Sequence, residues 1–391
     1  MRVECYIYLN YHISMKKILF RKILFDCLNF FIITIIGTSA IVWVFQAVNY
    51  LDIMVEDGRN YQVYFNYTIL SFPKVISKIF PFAIFISFFY IISKYENKNE
   101  LIIFWTHGIT KLQVINFFLK ASLALMIFQM IFISFLVPFT QNKARSIIKE
   151  SNINFFESFL IPKTFNDVIK GVTIYTDERK PDGNLKNIFI KKSTSASDFE
   201  ITFSQTGAIK NLNNTQILVL YDGQNLKGNK NNLDSFSFSK SDFNLSILES
   251  NTTTYKKTQE NSTSELINCY ISLEDKKKKI VNNFNVENCR EDNLSNIFGE
   301  LYKRFIIPLY IPMLILVSLF LILISKEKSN YTKFKILIFL FGLFVIIFSE
   351  TTLRFVENNF LDNMKLMLIP FFLTLVIYFT IILKLNSITY K

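Results

Sequence analysis

The chain has 391 residues, 51% of them hydrophobic and 16% aromatic, with 43 Phe against only 10 Gly and 8 Pro. That is too greasy for an ordinary soluble protein, and the Phe excess suggests membrane spans. The formal net charge of +12 excludes little by itself, because in a membrane chain the placement of Lys and Arg among the loops carries the meaning.

The first fourteen residues, MRVECYIYLNYHIS, lack a basic region followed by an apolar run, so they do not read as a signal peptide. Met15 opens MKKILFRKI, a natural start for a membrane protein, and residues 1–14 are expected to be an upstream extension. A nearly charge-free run of about 20 residues can cross a bilayer core of roughly 30 Å. Three such runs follow: Cys27–Leu51, Ile79–Ser93 (short, but extended by Lys74 and Lys78 reaching outward) and Ala121–Asn142. After a long polar stretch come Phe305–Ser325, Ile336–Ser349 and Leu366–Leu383. The expected fold is an α-helical membrane protein with six transmembrane helices, three plus three, and an inserted all-β, jellyroll-like domain. The expected boundaries are 15–142 for the first three helices, 143–297 for the insert and 298–391 for the last three.

One set of loops and ends carries thirteen basic residues, from Lys16, Lys17, Arg21 and Lys22 through Lys94, Lys98 and Lys111 to Lys326, Lys328, Lys333, Lys335, Lys384 and Lys391. The other short loops carry five: Arg59, Lys74, Lys78, Arg354 and Lys365. The positive-inside rule then places both termini in the cytoplasm and the insert outside; a long domain crosses regardless of its charge.

Within the insert, GVTIYTDE (171–178), LKNIFIKK (185–192), FEITFSQTGAI (199–209), TQILVLYDGQ (215–224) and FSFSKSDFNLSI (236–247) read as strands, separated by turn formers such as PDGN (181–184) and NLNN (211–214). The insert holds no His. It also offers no metal-ligand spacing and no nucleophile–base pair. Cys269 and Cys289 fall in it; outside the cytoplasm they can pair, or remain two buried thiols, and spacing alone leaves both open. The chain has no P-loop, no Gly-rich dinucleotide fingerprint, no H-E-x-x-H and no C-x-x-C. It is expected to be non-catalytic, with no cofactor, no metal and no nucleic-acid partner, and to draw its energy from another protein.

NELIIFWTHGIT (99–110) lies between spans two and three and is too short to cross anything. Asn97 and Glu100 have the spacing of a cap and a third-position acid, Leu101, Ile102, Phe104 and Trp105 supply an apolar side, Gly108 is placed to stop the helix, and Thr110 to cap the next. The predicted short helix, about 97–108, either rests in the cytoplasmic lipid interface or docks into an ATPase. In the second case Glu100, Leu101, Phe104, Trp105 and Gly108 form the coupling surface.

The segments IVWVFQAVNYLDIMVEDG (41–58), FPKVISKIFPFAIFISFFYIISK (72–94), NELIIFWTHGIT (99–110), FLVPFTQNKAR (135–145), GVTIYTDE (171–178) and ELYKRFIIPL (300–309) resemble the LptF/LptG (YjgP/YjgQ) permease family of the lipopolysaccharide export ABC transporter, LptF more than LptG. The resemblance covers essentially Met15–Lys391. It implies an inner-membrane heterodimer with a second, LptG-like permease, an LptB-like ATPase dimer docked below, and an LptC-like periplasmic bridge receiving lipopolysaccharide from the β domain. It also implies that the coupling-helix Glu matches Glu100 and that helices one and five form lateral gates. Phosphates on such a cargo call for basic or polar groups near the outer rim, and the candidates are Gln46, Asn49, Lys74, Lys78, Arg304 and Arg354, with Lys303 and Lys365 nearby. The chain departs from the family in having no basic residue in 42–51, VWVFQAVNYL. The competing readings are an ABC permease of mechanotransmission type, acting on a periplasmic partner without moving lipid, and a non-transporting membrane scaffold.

Overall fold

The computed structural model describes residues 2–56, 61–159, 161–169, 172–180, 184–193, 199–212, 215–229, 232–244, 256–277, 289–357 and 360–389, with the side chains of 1–14 and of short stretches beside the gaps outside the description. The turn residues 181–183 and 213–214, named above, fall outside it.

Helix α1 runs Arg2–Glu56, α2 Tyr61–Asn97, the short α3 Glu100–Thr106, and α4 Lys111–Ile131. A π-helical turn, Phe132–Leu136, leads into α5, Val137–Phe159. Six strands follow: β1 Asn166–Ile169, β2 Val172–Arg179, β3 Asn184–Ser193, β4 Phe199–Leu212, β5 Thr215–Asn229 and β6 Asn232–Asn244. The chain returns to helices with α6 Thr263–Lys277, α7 Leu294–Phe305, α8 Tyr310–Leu319, α9 Tyr331–Thr351 and α10 Phe360–Thr389. Six stretches are long and apolar enough to cross a membrane: Met15–Leu51, Tyr61–Asn97, Lys111–Ile148, Glu291–Leu323, Tyr331–Phe355 and Asn363–Asn386. All six expected spans are present, each longer than its charge-free core.

The chain divides into two compact units. The first, Met1–Trp43, Phe72–Asn142 and Lys257–Lys391, is built round α8, whose ten residues Tyr310–Leu319 are all buried. In the most apolar window of its span 89% of residues are buried, against 67% for the second span and 17–28% for the other four. Spans two and four therefore form the protein core of this unit, and the remaining spans turn broad apolar faces outward. One contact is especially tight: a Cβ at Gly342 of α9 would collide with the ring of Phe85 on α2.

The second unit, Val44–Ser71 and Lys143–Lys256, holds the sheet. Its strands pair antiparallel in chain order, β1-β2-β3-β4-β5-β6. Val172, Ile174, Leu185, Ile188, Ile190, Leu218 and Leu220 form its core. The inserted all-β domain is thus present, and its described strands form a meander. Alternation slips by one at Asn187: Leu185 is buried, then Ile188 and Ile190. Asn187 and Asp222 both have φ of 49°, a left-handed conformation that Asn and Asp tolerate better than most residues. Each breaks the regular pleat of its strand.

The insert's expected boundary, 143–297, needs correction. Residues from Lys257 onward group with the membrane unit, and α6 is a helix there. Its Leu266, Cys269 and Leu273 pack with Leu294, Ile297 and Phe298 of α7, which explains why this stretch carries a helical rather than an alternating pattern. Cys269 and Cys289 are joined by a disulfide, Cα–Cα 5.8 Å.

Candidate functional sites

Helix α3 begins at Glu100, not at 97, because α2 continues unbroken to Asn97. Asn99, at φ 61°, turns the chain between the two helices and makes no side-chain cap. Glu100 is therefore the first residue of the helix, and the expected Asn97–Glu100 capping box does not form. Its far end is built as the sequence predicts. Gly108 has φ 69°, its N–H donates to Trp105 O at 3.0 Å, and Ile109 N–H donates to Phe104 O at 3.0 Å. These are the two bonds of a Schellman stop, with glycine at the left-handed position. Thr110 and Gln113 then form a full capping box for α4.

The short helix has two faces. Leu101 and Phe104, 1% and 2% exposed, belong to the main core, and the Phe104 ring meets that of Phe20 edge-on at 6.3 Å. These two residues cannot be docking contacts, and the coupling surface is corrected accordingly. Trp105 is half-buried, with Lys111 Nζ 5.8 Å from its ring centroid. The open face carries Ile102 and Ile103, 51% and 47% exposed, beside a half-buried Glu100. Ile103 was missed from the sequence. The signal was available: the Leu101, Phe104 spacing turns inward, so the adjacent 102–103 pair must face out.

The basic residues of the membrane unit converge in part. Lys74 interacts electrostatically with Lys78 and Lys303 and with the carboxylates of Glu300 and Glu260. Lys78 and Lys303 are exposed. Lys303 Nζ lies 3.7 Å from Glu300. Arg304 belongs to the same region but is fully buried. Its guanidinium donates to Glu300 Oε1 at 3.2 Å, Thr263 Oγ1 at 2.9 Å, Gln259 O at 3.3 Å and Asn261 O at 2.9 Å. With its donors engaged and no exposed surface, Arg304 is a structural clamp, which corrects its candidacy as a substrate contact. Arg354 stands exposed in a 3₁₀ turn, Thr352–Phe355. Gln46 is half-buried and Asn49 exposed; both lie on the stretch of α1 that groups with the β unit.

The β unit contains a cavity of about 850 Å³ lined by Tyr175, Phe189, Phe203 and Phe238, with Asn187, Asp222 and Gln224 among its polar residues. Tyr175, Phe189 and Phe203 are successive cross-strand partners, and Phe189 and Phe203 have ring centroids 5.1 Å apart. Beside them the Asp177 carboxyl is held below the usual carboxylate range by the Tyr175 hydroxyl and then by the Asn187 amide, at 2.7 and 2.8 Å.

Six apolar helices interrupted by a β-sheet insert define a multi-pass helical membrane protein. Residues 21–384 match the family described as lipopolysaccharide export system permease LptF/LptG. The chain belongs to that family, whose members are permease components of lipopolysaccharide export. It is also similar to "Uncharacterized protein RP871" of Rickettsia prowazekii (strain Madrid E), 25% identical over 353 residues, 88% of this chain and 91% of that protein.

Proposed function

We propose that the protein is the LptF-like permease subunit of an ATP-driven ABC transporter. It extracts lipopolysaccharide from the inner membrane and passes it to an LptC-like periplasmic bridge. ATP hydrolysis occurs in an LptB-like ATPase dimer, and an LptG-like permease completes the membrane channel. The observation that carries this reading is the family match across nearly the whole chain.

Several features support it. An exposed Ile102–Ile103 face beside the half-buried Glu100 suits docking to a cytoplasmic partner. Lys74, Lys78 and Lys303, on a mixed-charge patch, suit phosphate groups of the cargo. The aromatic cavity of the β unit is large enough to take acyl chain. The excess of basic residues in one set of loops supports cytoplasmic termini and a periplasmic insert. A Cys269–Cys289 disulfide fits that oxidising side.

The test is a pull-down from detergent-solubilised membranes with mass spectrometry of protein and bound lipid. Recovery of an ABC ATPase, a second six-span permease and lipopolysaccharide is the expected result. An ATPase with a different periplasmic partner and no glycolipid would replace lipid transport with mechanotransmission. No ATPase at all would remove the coupling role of α3.

A further inference from the structure

Both ends of the segment carrying α3 are tied to one short stretch of chain. Before α3, Glu96 Oε1 accepts the backbone N–H of Lys326 at 3.0 Å, and Lys326 Nζ donates to Asn97 O at 3.1 Å. After α3, Lys111 Nζ donates to Leu323 O at 3.5 Å. The fourth span ends at Leu323 and the fifth begins at Tyr331. Residues 97–111 thus stand on 323–326 with two feet, one on each side of the short helix. Glu96 also interacts electrostatically with Lys111 and with Tyr331.

The local chemistry explains why these groups meet. Leu323 closes a 3₁₀ turn, Phe320–Leu323, at the end of the fourth span. Carbonyls in a terminal turn lack intrahelical donors, and a cation is favoured beside them. Lys111, the first residue of α4, supplies both donor and charge. The two ties are directional hydrogen bonds, whereas α3 meets α1 and α4 through apolar side chains such as Phe20 and Val114. Apolar surfaces can slide; a hydrogen bond weakens steeply when its angle changes. A displacement of α3 that moves the end of α2 or the start of α4 with it must therefore either carry 323–326 along or break these bonds. The 3₁₀ turn has poorer hydrogen-bond geometry than the α-helix it ends.

We propose that 323–326 is the receiving end of α3's movement, and that Glu96 and Lys111 are positioning residues which pass that movement to spans four and five. The proposal rests on the reading of α3 as the ATPase-docking element. It makes the junction of spans four and five, and not only the core contacts of α3, the route from nucleotide hydrolysis to the lipid path.

The test reconstitutes the whole transporter in proteoliposomes and measures ATPase recovery, ATP hydrolysis and lipopolysaccharide released per ATP. Glu96→Ala with Lys111→Met should keep ATPase recovery, and hydrolysis within about twofold of wild type, while lipid released per ATP falls about tenfold. Glu96→Gln retains the accepting Oε1 and should stay close to wild type. Unchanged lipid release per ATP in the double variant overturns the proposal. So does loss of ATPase recovery, which would make these residues part of docking or folding, and so does a Glu96→Gln variant as poor as the double variant. A wild-type chain that recovers no ATPase overturns the functional reading itself, a result distinct from a working wild type matched by a working variant.

Discussion

Arg304 Nη1 donates to the hydroxyl of Thr263 at 2.9 Å, and that hydroxyl donates onward to Ser134 O at 2.7 Å. Pro138, four residues on from Ser134, has no N–H to donate to that carbonyl. The helix widens there into the π turn Phe132–Leu136, and Thr263 donates to Ser134 O. Arg304→Met would leave two backbone carbonyls and the Thr263 hydroxyl without their donor, and the Glu300 carboxylate with Lys303 as its remaining cation. The expected loss is about 3 kcal/mol, the cost of leaving buried acceptors unpaired. Arg304→Lys should recover little, since one ammonium cannot reproduce the planar fork. Thermal unfolding of the detergent-solubilised protein checks both; a wild-type midpoint for Arg304→Met would show that Arg304 is not a clamp.

Phe85 and Gly342 make a second relationship that a single substitution reports. The Phe85 ring is fully buried and occupies the space a methyl at residue 342 would take. Gly342→Ala ought to gain helix propensity, about 1 kcal/mol. The collision with a rigid ring opposes this with about 1–3 kcal/mol of overpacking strain. Net destabilisation is expected, and the double variant Gly342→Ala with Phe85→Leu should be more stable than the sum of the single effects. Additive effects, measured by a double-mutant cycle in thermal unfolding, would place the two residues out of contact.

The two faces of α3 predict phenotypes that the thermal midpoint tells apart. Ile103→Glu alters only the exposed face and should abolish ATPase co-purification while membrane insertion and the thermal midpoint stay as in wild type. Glu100→Lys should weaken co-purification in the same way. Phe104→Ala empties a core position and costs about 3–5 kcal/mol, so its loss of co-purification should accompany a lowered midpoint. If Ile103→Glu binds the ATPase normally, the exposed face is a lipid-interface surface and not a docking one.

Much of this was legible in the sequence. Six apolar runs gave six spans, and the strands at 185–192, 199–209 and 215–224 lie within β3, β4 and β5, since period-two alternation and turn residues are local signals. Gly108 and Thr110 acted as predicted because caps and stops are also local. The misses are long-range. Arg304 reads as a basic residue at a span's outer end; only tertiary structure brings Gln259, Asn261 and Thr263 around it. The start of α3 was misplaced because Asn97 and Asn99 both carry the cap signal, and α2's own continuation decided between them. Residues 257–277 look like the end of a β domain by position, yet α6 buries its apolar stripe against α7.

The β unit offers a pH-dependent observable. Asp177 is held below the usual carboxylate range by the Tyr175 hydroxyl and the Asn187 amide. A depressed carboxylate contributes stability above its unfolded pKa, about 3.9, and that contribution is lost as pH falls through the folded value. The ¹³C carboxyl resonance of Asp177 should therefore titrate below the ordinary range, and Asn187→Ala should move its midpoint upward. The group is exposed, so the effect on global stability is expected to be small. A midpoint at the ordinary value in wild type would mean that the two hydrogen bonds do not persist in solution.

The disulfide gives a prediction with an internal control. Cys269 and Cys289, 20 residues apart in sequence, close a loop whose loss of denatured-state entropy is worth about 3 kcal/mol. Cys27 is a free thiol, fully buried in the main core. In a chain carrying Cys5→Ser, alkylation under native, non-reducing conditions should modify none of the three remaining cysteines. Denaturation without reductant should expose Cys27 alone, adding one label. Denaturation with reductant should add three. Cys269→Ser with Cys289→Ser should lower the thermal midpoint without changing the accessibility of Cys27. Three labels in the unreduced, denatured protein would mean that the pair is reduced, and would remove the oxidising-compartment argument that supports a periplasmic insert.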